Sequence, residues 1–472
     1  MKDYSYSKIT PEIILELEKI TGPQYVLTDS EKIEPYSHDE SVDEGISSFP
    51  EVVIKPRTAE EIAAIVRLAN KYKFPITPRG AGSGLAGGAV PVCGGIVLSL
   101  ERMNSILEID RENMMAVVEP GVVTNEINEK VKDLGLFFAG YPMSLETCFI
   151  GGNVAQNAGG GKAVKYGVTE RYVTGLEFVT PTGEIVEAGG KRLKDVTGYN
   201  LRLFLVGSEG TLGIITKVII KLLPLPKVKA VLFAMFPDIR SAINTVPKMM
   251  TQGGVIPTAI EFMDRVSVEL TFKYMNENLP IKGAESMLLI EVDGANEQSV
   301  ERDYDTLGNI CMENGAIEVY VADNYTTQER LWSIRRNLGE ALMLYNRRQS
   351  IEDIVVPTAQ IPDIVEEFEK ISAKHDMQIM IYGHAGDGNL HANIVINPND
   401  DDAIWDIKLP LIQTDMYIAA VKLGGTISGE HGIGIKRKKF IDIALSPDTI
   451  EFMRKIKHGV DPNNILNPGK IF

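Results

Sequence analysis

PRGAGSGLAGGAVP, residues 78–91, contains a literal GxGxxG at Gly82, Gly84 and Gly87. In a dinucleotide fold that fingerprint needs a strand before it and a helix after it, so that the helix N-terminus faces the pyrophosphate. FPITPRG, ending at Gly80, reads as the strand, but Ala89–Leu100 reads as a turn and a second strand. NAD binding by this loop is therefore rejected. Two readings remain: a tight turn, or a loop whose successive N–H groups wrap a diphosphate because no side chain holds the anion away.

Working outward, EVVIKP reads as a short strand and residues 58–72 as a helix opened by Thr58, with Glu61 three positions on. GIVLSL, AVVEPG, LEFVTP and GIITKVIIKLLPLP are rich in β-branched residues and end in Gly or Pro, and Pro224 and Pro226 close the domain. A second glycine cluster at 151–161 is not a Walker A loop, because position 156 is Gln and position 163 is Ala. A third, GSEGTLG, starts at Gly207. Three glycine loops in one domain imply one extended ligand. Four segments follow: an N-terminal accessory segment, 1–45, with a Thr10-Pro11 helix start; a domain at 46–226; a second α+β sheet domain at 227–425 that covers the substrate; and a C-terminal segment, 426–472. The closing DPNNILNPGKIF is either a loose tail or a strap folded back over a ligand.

The net charge of -16 excludes a nucleic-acid polyanion as the main partner. The apolar runs fall short of the roughly 18 residues needed to cross a bilayer, so no membrane span and a cytoplasmic protein are expected. Cys93, Cys148 and Cys311 lie far apart without a CxxC pair, against disulfides and iron–sulfur clusters. Asn397–Asp402 reads as a solvated acidic loop, and Lys436–Lys439 as a solvated helix start or a partner-docking run.

Three of six histidines fall in two motifs, HAGDGNLH at 384–391 and GEHG at 429–432. MQIMIYG and ANIVIN flank the first motif as strands, making the hexapeptide between His384 and His391 a turn that lets both imidazoles converge. Each histidine is either a satisfied polar residue on a turn or part of a metal site, since two imidazoles and a carboxylate make an open three-ligand divalent centre. Arg335 and Arg336 lie on a helix in LWSIRRNLGEAL, and an arginine fork suits a carboxylate. Asn393 shares the strand face of His391.

The three glycine segments in this order resemble the FAD-binding domain of the vanillyl-alcohol-oxidase/PCMH superfamily. With HxGDGNLH and GEHG, the chain is similar over nearly its whole length to the glycolate-oxidase D-subunit, D-lactate dehydrogenase and D-2-hydroxyglutarate dehydrogenase group. The resemblance implies an α+β fold: a PCMH-type FAD-binding domain of two α/β subdomains, plus an antiparallel-sheet α+β substrate (cap) domain. It implies that Arg79, Gly80, Ala81, Gly82, Ser83, Gly84, Gly87 and Gly88 cradle the pyrophosphate. Pro142, Ser144, Thr147, Gly151, Gly152, Asn153 and Gly159 would line the flavin, with Glu209, Gly210 and Ile215 toward the adenosine and Asn467 in a returning C-terminus. No histidine stands at Ala81–Gly84, where covalently flavinylated relatives carry one, so non-covalent FAD is expected. By the same resemblance His384, His391 and Glu430 bind one divalent metal (zinc, iron(II) or manganese), and His431 is the base. The resemblance also picks Arg335 to hold the substrate carboxylate, and Asn393, on the strand face of His391, is expected to contact the hydroxyl or carboxylate. Some 2-hydroxyglutarate enzymes carry a lysine shortly before Asp-x-x-x-Pro, where this chain has Ser350, Ile351 and Glu352 ahead of Pro357. That favours D-lactate, then glycolate, over a dicarboxylate. Electrons are expected to pass to an electron-transferring flavoprotein or iron–sulfur subunit, in some relatives within a bifurcating complex. The alternatives are a glycolate oxidase-type subunit using oxygen or another acceptor, and a non-catalytic flavin-binding subunit.

Overall fold

The computed structural model describes residues 5–41, 44–281, 283–397 and 400–472. Parts of two expected segments, residues 1–4 and 42–43 of the N-terminal segment and 398–399 of the acidic loop, lie outside the described residues. The chain forms two compact units. Unit 1 comprises Met1–Gly159, Val168–Leu225 and Glu430–Phe472; unit 2 comprises Gly160–Gly167 and Pro226–Gly429. Neither unit is contiguous: Gly160–Gly167, the end of the second glycine cluster and the residues just after it, belong to unit 2, which no local sequence signal announces.

In unit 1, β1 (Val26–Leu27), β2 (Val52–Ile54), β3 (Ile76–Arg79) and β4 (Ile96–Ser99) form a sheet in the order β1-β2-β4-β3. β4 lies parallel to both β2 and β3. The connection from Arg79 to Ile96 contains turns and bends but no helix, as the rejection of a Rossmann loop requires. Thr58 caps the helix Ala59–Tyr72 by accepting from the Glu61 amide, and that helix buries Ile62, Ile65, Val66 and Leu68. These pack with Val52, Ile54, Ile76, Ile96 and Leu98, each full burial of such a side chain stabilising by about 1.5–3 kcal/mol. Ile13 and Leu17 of the N-terminal helix Pro11–Thr21 lie in the same core, so that helix is integral to unit 1 rather than accessory.

The second sheet of unit 1 joins β5 (Ile106–Asp110), β6 (Met115–Val118), β8 (Val173–Val179), β9 (Ile185–Gly189) and β10 (Ile214–Lys221) in the antiparallel order β5-β6-β10-β8-β9. β7 (Leu136–Phe137) pairs with β11 (Leu223–Pro224). The C-terminus is not a loose tail. The Ile76 amide donates to Ile465 and the Asn467 amide to Ile76, at 2.8 and 2.7 Å, which extends the edge of β3.

Unit 2 is built on a seven-stranded antiparallel sheet of β12 (Val228–Phe236), β13 (Ala259–Asp264), β14 (Ser286–Gly294), β15 (Glu318–Ala322), β16 (Gln349–Val355), β17 (Gln378–His384) and β18 (Asn389–Val395), ordered β15-β12-β14-β13-β17-β18-β16. Register fixes which side chains share a face. Glu261 pairs with His384, Tyr382 with His391, and Asp353 with His391. Because alternate residues point the same way, Glu261, Tyr382, His384, Asn389, His391, Asn393 and Asp353 all stand on one face. Glu352 stands on the other, where it accepts from Ser350 and from Gln413 and Tyr417 of the helix Asp402–Lys422.

Candidate functional site

In unit 2 the histidine hairpin departs from expectation in one respect. The turn is only Ala385–Gly388, and both histidines lie within strands, His384 closing β17 and His391 third in β18. The strands begin earlier because Asn389 is already paired with His384. Convergence therefore comes from diagonal positions on one sheet face, with ring centroids 5.3 Å apart and nearly perpendicular.

Each imidazole stands beside a buried carboxylate. His384 Nδ1 lies 2.7 Å from Glu261 Oε1. His391 Nδ1 is 3.9 Å from Asp353 Oδ1, too far for a direct bond. Asp353 is held by Asn389 Nδ2 at 2.8 Å on one oxygen, and by Ser428 Oγ at 2.7 Å and the Gly429 amide at 2.8 Å on the other. Glu261 also accepts from Arg335 Nε at 2.6 Å. Burial pushes its carboxyl up, but His384 and Arg335 outweigh burial and hold it below the ordinary carboxylate value.

Arg335, on the helix Tyr325–Arg336, is buried, and its Nη2 has no hydrogen-bond partner. Arg336 faces solvent and pairs with Glu329. Asn393 is fully buried; its Nδ2 donates to Gln349 at 2.6 Å, while its Oδ1 has no partner. Unpaired buried polar atoms are costly, and these two, Asn393 on the face that carries both histidines and Arg335 bonded to Glu261 of that face, suit a polar ligand. Sequence reasoning missed Glu261 and Asp353. A lone Glu inside the apolar run AIEFMD was the available signal, because a buried carboxylate demands donors.

In unit 1 the glycine loops divide by what a side chain at each position would meet. A Cβ at Gly151 would lie 2.5 Å from Pro120, and one at Gly87 2.8 Å from Ile46, so these glycines serve packing. A Cβ at Gly152 would meet nothing within 4 Å, and one at Gly84 only Asp39 Oδ2 at 3.6 Å. Gly80 approaches Gly152, with the Gly152 amide 3.6 Å from where a Gly80 Cβ would stand. These open backbone positions on adjoining loops fit a flat, phosphorylated ligand.

Four side chains assigned to that ligand are engaged elsewhere. The Arg79 guanidinium donates to the His38 and Pro35 carbonyls and covers Gly82, fastening the N-terminal segment to the loop. Asn153 Nδ2 donates to Thr124 Oγ1 at 2.7 Å. Glu209, buried at φ 52°, accepts from the Ile433 and Gly434 amides at 2.8 and 2.7 Å, and burial raises its pKa. Its carboxylate thus anchors the turn after Glu430 and His431. Asn467 Nδ2 donates to the Gly88 and Glu209 carbonyls. Gly210 packs on Pro78, Ile215 is buried in β10, Pro142 is half-buried, and Ser144 and Thr147 are exposed.

Glu430 and His431 turn toward each other, His431 Nε2 lying 3.8 Å from Glu430 Oε1, ahead of Gly432 at φ 86°. A Cβ at Gly159 would stand 3.2 Å from Glu430 Oε2. Two residues on, a Cβ at Gly161, in unit 2, would stand 2.6 Å from Glu261 Oε1 and 3.5 Å from His384 Nδ1.

Residues 50–189 match the FAD binding domain family, and residues 225–471 match FAD linked oxidases, C-terminal domain. The chain belongs to the FAD-linked oxidases. This FAD-linked oxidase is 39% identical over 464 residues to the glycolate oxidase subunit GlcD of Bacillus subtilis, covering 98% of this chain and 97% of that protein. It is 37% identical to a D-lactate dehydrogenase of Anaerostipes hadrus, over 100% of this chain and 99% of that one. Among solved structures, p-cresol methylhydroxylase with substrate bound superposes with a TM-score of 0.78 at 19% identity, over 97% of this chain and 96% of that one, a likeness of fold. The FAD-linked oxidase is an FAD-dependent oxidoreductase. Among its described residues no helix is long and apolar enough to cross a membrane.

Proposed function

We propose that this chain oxidises a small D-2-hydroxy acid, D-lactate first and glycolate second, to the 2-keto acid. The observation that carries the reading is the single sheet face on which His384, His391, Glu261, Asp353 and Asn393 stand, with Arg335 bonded to Glu261. Relatives named for D-lactate and for glycolate support both substrates. The positions of β16 on the histidine side, Gln349, Ile351 and Asp353, include no cation for a second substrate carboxylate.

His384, His391 and Glu430 form the donor set for one divalent metal, zinc, iron(II) or manganese, two imidazoles and a carboxylate being an open three-ligand set. One feature within unit 2 supports it: Glu261 engages His384 Nδ1, so Nε2 is the nitrogen that offers a lone pair. Gly152 and Gly84 leave room for the FAD.

When bound, FAD supplies the hydride acceptor, and the metal a Lewis acid for the hydroxyl and carboxylate oxygens. Arg335 binds the substrate carboxylate through Nη2. Asn393 contacts the hydroxyl or the carboxylate, and a ring nitrogen of His431 takes the hydroxyl proton as hydride leaves C2. The FAD is dissociable. Cys148, the thiol beside the proposed flavin loop, bonds to Thr124, and burial raises its pKa, which suppresses nucleophilic attack. Electrons then leave to an electron-transferring flavoprotein or iron–sulfur subunit, since no second redox motif stands in the chain.

Anaerobic titration of the flavin with D-lactate, L-lactate and glycolate, with and without chelator, tests the reading. Bleaching by D-lactate that the chelator suppresses is expected. Bleaching by none of the three, with FAD and metal loaded, overturns it.

A further inference from the structure

Glu261 sits third in β13, a strand otherwise apolar except for its closing Asp264, and is 0% exposed. A carboxylate there must have both oxygens satisfied. Two functional side chains do so from different elements. Oε1 faces His384 Nδ1 at 2.7 Å and Oε2 faces Arg335 Nε at 2.6 Å.

An ionised carboxylate only accepts, so its bond to His384 places the imidazole proton on Nδ1 and the lone pair on Nε2. The bond to Arg335 Nε fixes the plane of the guanidinium, and Nη2 lies buried without a hydrogen-bond partner. Gly161 closes over the pair, since even a methyl group there would stand 2.6 Å from Oε1.

We infer that Glu261 is a positioning residue that ties two steps together: with one oxygen it sets the tautomer in which His384 ligates the metal, and with the other it aims Arg335 at the substrate carboxylate. This rests on the metal reading above. Loss of such a carboxylate behind a histidine ligand typically costs roughly 10–100-fold in metal affinity.

Glu261→Gln is the discriminating variant. Its amide oxygen still accepts from Arg335, but its N–H donates to His384 Nδ1, driving the proton to Nε2 and removing the lone pair. Zinc affinity is measured by chelator competition on the flavin-loaded protein. The variant is expected to bind zinc roughly 10–100-fold more weakly and to show a raised KM for the hydroxy acid, with flavin content unchanged. Equal zinc affinity in the two proteins overturns the inference alone. Absence of zinc binding by the wild-type protein overturns the metal reading and the inference with it. Should Glu261→Gln fail to fold, Glu261→Asp keeps the charge but is too short to reach both partners. The same loss is expected of it, and wild-type affinity there overturns the inference.

Discussion

Gly152→Ala separates the stability of the flavin unit from its affinity for the cofactor. Gly152 lies in the helix Ile150–Gln156, and a Cβ built there meets nothing within 4 Å. In the FAD-free protein the methyl group therefore costs no packing, while replacing a helical glycine by alanine stabilises by about 0.5–1 kcal/mol. If the flavin occupies the space in front of Gly152, the same methyl group overpacks the bound state by about 1–3 kcal/mol, a loss of roughly 5- to 150-fold in affinity. The two effects have opposite signs, so a merely damaged protein cannot imitate them. Melting of the apoprotein and fluorescence titration of FAD, on wild type and variant, read them separately. A variant that binds FAD as tightly as wild type would refute the placement of the flavin against Gly152. A destabilised apoprotein would refute the reading of that position as open.

Gly161→Ala should behave differently: its Cβ would stand 2.6 Å from a Glu261 oxygen already pinned by His384, so calorimetric zinc titration should show weaker binding while FAD affinity stays unchanged. Arg335→Lys replaces the fork by a point charge, and losing one charged hydrogen bond, about 1.5–3 kcal/mol, predicts roughly a 10- to 150-fold fall in kcat/KM for D-lactate; wild-type kinetics would remove Arg335 from the substrate site. Burial depresses the pKa of Lys470 from 10.5 to about 8. The folded state thus binds fewer protons than the unfolded state between pH 8 and 10.5, and stability rises with pH across that window, the full cost applying below pH 8. Urea unfolding of wild type and Lys470→Met should show a gap that changes by up to about 3 kcal/mol between those limits; a constant gap contradicts the shift.

Much of this was legible because it depends on short-range pattern. The Thr58 cap, the glycine loop between two strands and the histidine hairpin all follow from period, turn chemistry and β-branched runs. The bolts of the site were not, because each joins residues far apart in the chain. Glu209 meets the Ile433 and Gly434 amides across more than two hundred residues, and Glu261 meets Arg335 across 74. Arg79, Asn153 and Glu209 look like ligand groups in a glycine-rich context, yet their side chains hold the loops in shape. The excursion of Gly160–Gly167 into the other unit had no local signal either. It is held by long-range pairs, Lys162 to Glu291 and Lys165 to Asp293.

The strand addition at the C-terminus bears on biogenesis. Ile76 finds its partners Ile465 and Asn467 only after some 390 further residues have left the ribosome. At translation speeds of about 5–20 residues per second, that edge waits roughly 20–80 seconds. Through that interval an unpaired β3 edge, flanked by the apolar core of Ile62, Ile65 and Leu98, is a sticky nascent surface. Truncation of the chain before Asp461 is therefore predicted to yield aggregates rather than a trimmed enzyme.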